Sequence, residues 1–335
     1  MALIEVNNLK VYFPIRTGMF GRAKGHARAV DNVSFKIRQG ETLGLVGESG
    51  SGKTTVGRSI LRAIDPTDGQ VFFALNGHNI ELTKLKGKAL RKFRKHMQLI
   101  FQDPYASLNS RMTVRDIIAE PLVASGLARG KILNERVREA AARCKLNLEH
   151  LRRFPHAFSG GQRQRISIAR AIVSNPDFIV CDESVSALDV SIQAEILNLL
   201  MELQKELKTT YLFIAHDLSV VAHISDRVIV MYLGAFVELA PTEKLFFRPK
   251  HPYTEALLSA IPEVNPDHDM KPISLEGEIP DIANPPAGCR FHTRCNYVRN
   301  RCKVEVPEWR EVGPKHFVAC HFAHELELTG AMIAS

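Results

Sequence analysis

"GESGSGKT", residues 47–54, decides how this chain folds. It follows the apolar run "TLGLVG" (42–47), which has the length of a buried strand, and it opens a stretch of helical period. Its spacing matches G-x-x-x-x-G-K-[ST] in the strand, turn and helix context that this motif needs. Glycines at Gly47, Gly50 and Gly52 let successive backbone N–H groups curl around phosphate oxygens, and the helix that starts there adds its positive end. Lys53 is placed to reach the β- and γ-phosphates and Thr54 to hold Mg²⁺ through its hydroxyl, with Ser49 and Thr55 completing the phosphate contacts.

Further along, "FIVCDES" (178–184) is an apolar strand that ends in Asp182 and Glu183. Side chains alternate along a strand, but at its end the chain turns, so both carboxylates can face one cleft. Asp182 suits the Mg²⁺ shell, and Glu183 suits a base that orients an attacking water. "MQLIF" (97–101), "YLFIAHD" (211–217) and "RVIVMYLG" (227–234) also have strand length and alternate with helical segments. That order predicts a mainly parallel sheet covered by helices. Residues of about 103–175, with "TVRDIIAEPLVASGL" and "NERVREAAARCKL", carry little β signal and read as a helical insertion. "HPYTEALLSAIP" (251–262) reads as the last helix of a main body spanning 1–262. Pro262, Pro266, Pro272, Pro280, Pro285 and Pro286 then mark a linker into a small extension, 263–335.

With 45% apolar and 24% charged residues the composition is that of an ordinary globular protein. The formal charge of +8 and the basic residues Arg16, Arg22, Lys24 and Arg28 give a surface that tolerates anionic ligands, without a nucleic-acid motif to go with it. No apolar run is long enough to cross a bilayer, and the start lacks the order of a signal peptide, so the chain is expected to remain in the cytoplasm.

Of the six cysteines, Cys144 and Cys181 sit in apolar surroundings and are expected to be inert core thiols. Cys289, Cys295, Cys302 and Cys320 cluster in the extension, and in a reduced compartment such a group reads first as a metal site. Structural zinc sites usually present two tight pairs of ligands, which this spacing lacks. Four thiolates spread over a loop suit a cuboidal iron–sulfur cluster, with zinc and plain thiols as the alternatives. His292, His316 and His321 could replace a ligand in the zinc case and are otherwise expected at the surface.

"FSGGQRQR" (158–165), upstream of "CDE", resembles the signature of ABC ATPases. The phosphate loop, Gln102 in "IFQDP", "SALD" (186–189) and His216 in "IAHD" stand in the family's order, and the resemblance covers residues of about 3–260. It implies an α/β fold with a P-loop NTPase (RecA-like) core, an antiparallel β subdomain and an α-helical ABC subdomain, to which the Cys-rich extension is added. By the same resemblance Phe13 stacks on adenine, with Tyr12 competing for that role. Gln102 senses Mg²⁺ and links the site to a transmembrane partner, and His216 contacts the γ-phosphate. Ser159, Gly160, Gly161 and Gln162 would bind the ATP held by an opposing subunit, so one chain alone cannot complete a site. Ser184 stands where the family usually has Pro, and without that ring the geometry of Glu183 is expected to loosen, altering hydrolysis without abolishing it.

"MQLIFQDPYASLNSRMTV" (97–114), "VSALDVSIQAEILNLL" (185–200) and "EGEIPDIANPPAGCRFHTRC" (276–295) are similar, more narrowly, to the ATPases of bacterial dipeptide and oligopeptide importers, and to the second of the two unlike ATPases such importers use. That implies ATP and Mg²⁺ as ligands and a [4Fe–4S] cluster on the four terminal cysteines. The implied partners are a related but different ATPase, two permeases and an extracytoplasmic peptide-binding protein. The implied place is the cytoplasmic face of the membrane, with no nucleic-acid partner. A non-transport ATPase, acting as a regulator or nucleic-acid remodeller, and an importer of nickel or sugars are the competing readings.

Overall fold

Five runs of strand length in the sequence become the strands Thr42–Val46, Met97–Ile100, Phe178–Asp182, Thr210–Ile214 and Arg227–Tyr232. The structure, a computed structural model, describes residues 1–17, 22–186, 188–261, 273–275 and 277–331. Pro262, Pro266 and Pro272, and with them the expected junction at 262–263, lie outside the described residues, as do the side chains of Arg16, Arg22 and Lys24. The chain divides into two compact units. One comprises Met1–Ile4, Lys36–Thr42 and Phe72–Ile214, and the other Glu5–Phe35, Leu43–Val71 and Ala215–Ser335.

In the first unit Met97–Ile100, Phe178–Asp182 and Thr210–Ile214 are parallel neighbours, with Ile100 opposite Cys181 and Cys181 opposite Phe213. Every residue of the latter two strands is buried, which is why they read as continuous apolar runs. The expected helical insertion is present as Val114–Ser125, Gly130–Arg143 and Gly160–Ile172, which pack on one another. Thr113 starts the first of these: its hydroxyl accepts from the Asp116 N–H, and Gly126 ends the helix in the left-handed conformation at φ 68°.

In the second unit Thr42–Val46 runs parallel to Arg227–Tyr232, with Leu45 opposite Ile229. Arg227–Tyr232 turns back into Ala235–Pro241 through Leu233 and Gly234, both at positive φ (43° and 76°), a two-residue hairpin matched to strand twist. The extension then adds two strands that the sequence did not announce. His316–Val318 pairs antiparallel with Ala235–Pro241, placing Glu238 opposite Val318, and Arg310–Gly313 pairs with His316–Val318. Two long strands near the start, Ala2–Thr17 and Arg22–Arg38, were likewise unannounced. Among the described residues no helix is long and apolar enough to cross a membrane.

One buried carboxylate joins the extension to the rest of the second unit. Glu238, fully inaccessible, accepts from the backbone N–H groups of Lys250 (2.7 Å) and His251 (3.0 Å), and lies 2.7 Å from His316 Nε2. Glu238→Ala strands these donors in the interior and should destabilise the fold by about 3 kcal/mol. Chemical denaturation of the full chain checks this.

Candidate functional site

The loop between strand Thr42–Val46 and helix Lys53–Ile60 turns through three glycines of positive φ: Gly47 at 150°, Gly50 at 78° and Gly52 at 106°. At two of them there is also no room for a side chain. A Cβ on Gly47 would stand 2.1 Å from the Met231 carbonyl oxygen, and one on Gly52 would stand 2.0 Å from that of Ala29. Lys53 is buried, and its ammonium donates to the carbonyls of Gly47 (2.7 Å) and Glu48 (2.9 Å), which holds it inside the loop. Gly52, in the left-handed conformation, caps the helix Lys53–Ile60 without a side-chain hydrogen bond, so the positive end of the helix opens at the loop. Ser49 and Gly50 are exposed at the tip.

Asp182 ends its strand with no accessible surface, whereas Glu183 is half-buried, so the two carboxylates do not share one exposure. Glu183 lies at φ 46°, a conformation rare for a residue with a side chain and one that clusters at working sites. Gln102 Nε2 donates to Glu183 Oε2 at 2.6 Å, bringing together two predicted residues whose contact the sequence did not reveal. The backbone of Glu183 is pinned as well. Its N–H donates to the Ile214 carbonyl (2.9 Å), and its own carbonyl accepts from the Ser186 amide (3.3 Å) and hydroxyl (3.0 Å). These bonds hold the Glu183 backbone next to Ser184, where the resemblance implies Pro. Ser184 is itself buried, and its hydroxyl has no hydrogen-bond partner.

Helix Gly160–Ile172 opens with a capping box: the Ser159 hydroxyl accepts from the Gln162 N–H, and the Gln162 side chain accepts from the Ser159 N–H. Ser159 and Gln162 are exposed there, with Gly160 and Gly161 between them. A Cβ on Gly161 would stand 2.6 Å from Ile192 Cγ2, so this glycine also serves helix packing. Two arginines that sequence reasoning missed tie this helix to the segment after Gln102. Arg163 lies over the Tyr105 ring at 4.2 Å, and Arg170 donates to the Ser107 carbonyl at 2.8 Å. Spacing in a single sequence carries no signal for either contact.

His216 is exposed in the second unit, between strand Thr210–Ile214 and the helix Leu218–Ile224 that Asp217 caps. Of the two candidate aromatics, Phe13 is the exposed one. The Tyr12 hydroxyl donates to Asp31, and burial together with that bond pushes it up to about 12.

Cys144 and Cys181 are fully buried, and burial pushes both thiols up. Cys289, Cys295, Cys302 and Cys320 line one cavity, shared with His251, His292 and His321. Burial pushes Cys289 up to about 12 and Cys295 to about 11, and the neighbouring cysteines add to both shifts. Among the described residues no three His, Cys, Asp or Glu side chains are grouped so that they could hold a metal ion. The expectation that the nearby histidines are surface residues is corrected for His316, which is buried against Glu238. His292 Nδ1 is 2.9 Å from the Cys289 carbonyl, and His321 Nε2 is 3.0 Å from that of Glu305.

The ABC transporter family model matches residues 30–186, and that of the oligopeptide/dipeptide transporter C-terminal region matches residues 237–302. The oligopeptide transport ATP-binding protein AppF of Bacillus subtilis is 53% identical over 95% of this chain and 97% of its own length. The chain belongs to the ATP-binding protein family of oligopeptide ABC transporters. The putative oligopeptide transport ATP-binding protein YkfD of the same organism is 49% identical over 98% of this ABC ATPase and 97% of itself. Among solved structures, the dimeric bacterial ABC transporter cassette MJ0796 is 28% identical with a TM-score of 0.62, over 71% of this chain and 98% of its own. The fold is thus that of a P-loop ABC ATPase with mixed α/β sheets.

The buried, unpartnered hydroxyl at Ser184 gives a prediction for this ABC ATPase. Ser184→Ala should raise stability by about 1 kcal/mol, as the desolvated hydroxyl is removed without a bond being lost. Thermal unfolding of the two full chains side by side measures it.

Proposed function

We propose that the chain is the ATP-hydrolysing subunit that powers uptake of di- and oligopeptides through a membrane ABC importer. One observation carries this reading: a relative named for oligopeptide transport aligns over 95% of a chain that keeps a complete phosphate loop with Lys53 seated inside it. In this reading residues 1–262 are the ATPase, with an α-helical ABC subdomain of about 103–175 and an antiparallel β subdomain, and 263–335 are the extension. The backbone of Gly47, Ser49, Gly50 and Gly52, with Lys53 and Thr55, takes the phosphates, and Phe13 the adenine. Thr54, Gln102 and Asp182 would hold Mg²⁺, which supplies charge neutralisation at the phosphates. Glu183 orients the attacking water and accepts its proton, steered by its bond to Gln102. His216 contacts the γ-phosphate.

Ser159, Gly160, Gly161 and Gln162 serve the ATP of a second subunit. Their exposure at an accessible helix start supports that role, and so does the likeness to a dimeric cassette. The second subunit is a related but different ATPase. Two permeases and an extracytoplasmic peptide-binding protein complete the importer, with this chain peripheral on the cytoplasmic face. ATP does mechanical work only if it binds the closed pair better than the open one, so closure drives the permeases outward and hydrolysis resets them.

The test is the assembled complex. Lys53→Ala should abolish ATP binding, and Glu183→Gln should bind ATP yet hydrolyse it at least about 10²-fold more slowly. A parent enzyme no faster than Glu183→Gln, or vigorous hydrolysis by demonstrated monomers, contradicts the reading.

Cys289, Cys295, Cys302 and Cys320 are proposed to hold a [4Fe–4S] cluster. Support comes from their common cavity and from the number and spacing of the thiols. Such a group would staple a proline-rich segment with little apolar content. Anaerobically purified protein should be brown, with iron and sulfide in stoichiometric amounts. Colourless protein with one zinc per chain overturns the assignment.

A further inference from the structure

The loop that carries the cysteines also carries two arginines, each next to a thiol in sequence and each pointing away from the cavity toward the nucleotide-binding elements of the same unit. Arg294 is buried, and its guanidinium grips the Glu48 carboxylate with both arms, Nη1 to Oε2 at 2.8 Å and Nη2 to Oε1 at 3.2 Å. Glu48 is the second residue of the phosphate loop, and its carbonyl is one of the two that hold the Lys53 ammonium. Its N–H donates to the Tyr253 hydroxyl at 2.8 Å. Tyr253, Tyr232 and Phe291 pack as an aromatic cluster with ring centroids 4.7 to 5.3 Å apart, so the cysteine loop and the "HPY" helix meet behind the phosphate loop. Arg290, four residues earlier, donates to the Leu233 carbonyl and to Asp31, the same carboxylate that accepts from Tyr12 beside Phe13.

We propose that the C-terminal extension is a working part of the nucleotide site, in which Arg294 is a positioning residue that sets the phosphate loop through Glu48. The physical reason is geometric. Glu48 has no glycine's freedom and sits between two glycines' worth of turn and the Lys53 ammonium, so the direction of its carbonyl depends on what holds its side chain and its N–H. A bidentate guanidinium fixes a carboxylate in plane and direction, which a point charge does not. With the clamp closed, the Glu48 carbonyl and Lys53 are already placed when phosphate arrives. Without it, ordering them is charged to binding.

The inference rests on the loop binding ATP, and the experiment separates the two. MgATP affinity of the full-length chain is measured by displacement of a fluorescent ATP analogue for the parent, Arg294→Gln, Glu48→Gln, the double variant and Lys53→Ala. Arg294→Gln and Glu48→Gln should each weaken MgATP about tenfold or more. The double variant should be no weaker than either, because both remove one clamp. Arg294→Lys should recover part of the loss. Unfolding midpoints without nucleotide are recorded alongside, and a loss of affinity that persists at temperatures where every variant is fully folded separates positioning from stability. If Arg294→Gln does not fold, Glu48→Gln alone decides. Unchanged affinity in Glu48→Gln or Arg294→Gln, or losses that add fully in the double variant, overturns the proposal. Parent-like affinity in Lys53→Ala overturns the phosphate-loop reading instead.

Discussion

The constraint on which the nucleotide-binding unit depends is the lack of space behind the phosphate loop. Gly47 and Gly52 press against the backbone carbonyls of Met231 and Ala29, so the loop has one path, and any side chain at either position would collide with backbone that cannot step aside. Lys53 closes that path by bonding back to Gly47 and Glu48. Close approach continues beneath the loop. A Cβ on Gly44, in the strand that feeds it, would lie 2.5 Å from Val221 and 2.7 Å from the Ser225 hydroxyl, so helix Leu218–Ile224 sits directly on that strand. The strand, the loop and the helix before Arg227–Tyr232 are thereby fixed as one piece. The exposed His216 is carried at the edge of that piece.

The other unit follows a different logic, in which polar contacts rather than tight backbone carry position. Gln102 reaches Glu183, and the segment after Gln102 is tied to helix Gly160–Ile172 by Arg163 over Tyr105 and by Arg170 on the Ser107 carbonyl. Gln102 and the segment after it thus contact both Glu183 and the helix Gly160–Ile172. Gly161 allows close contact with Ile192 and so seats that helix on the helix Val190–Leu207. Side-chain links of this kind can break and reform at modest cost, which suits the part of an ATPase that must respond to a partner.

Thr42–Val46, Phe178–Asp182, Thr210–Ile214 and Arg227–Tyr232 were legible because they are almost wholly buried and continuous apolar runs survive in sequence, whereas Met97–Ile100 is an edge strand, only partly buried, and was legible from its apolar run alone. The phosphate loop was legible because its glycines answer to a backbone requirement. The strands Ala2–Thr17 and Arg22–Arg38 were not, for a specific reason. Their alternation breaks phase at Asn8 (φ 50°) and Asn32 (φ 61°): Ile4 and Val6 are buried before the first, Leu9 and Val11 after it, and Val30 and Val33 fall on either side of the second. A left-handed residue in mid-strand, as at a β-bulge, shifts the inward face by one, and a period-two reading loses the pattern. The arginines of the cysteine loop were illegible for another reason. In "CRFHTRC" they read as ordinary surface charge, and only the fold shows that Arg290 and Arg294 reach Asp31 and Glu48, more than two hundred residues away.

At Glu183 the bonds that set the backbone come from residues other than its neighbour Ser184. The missing proline is a local restraint on one backbone angle, and its loss matters only if nothing else sets that angle. Here the strand neighbour takes the N–H, the Ser186 amide and hydroxyl donate to the carbonyl, and Gln102 donates to one carboxylate oxygen, with Glu183 at φ 46°. A residue in a sparsely populated conformation persists when its surroundings over-determine it. The cost of the substitution falls next door instead, on a buried Ser184 hydroxyl that finds no partner. The two effects are thus separable at this position: the serine leaves a desolvated hydroxyl while the bonds of Glu183 are made by other residues.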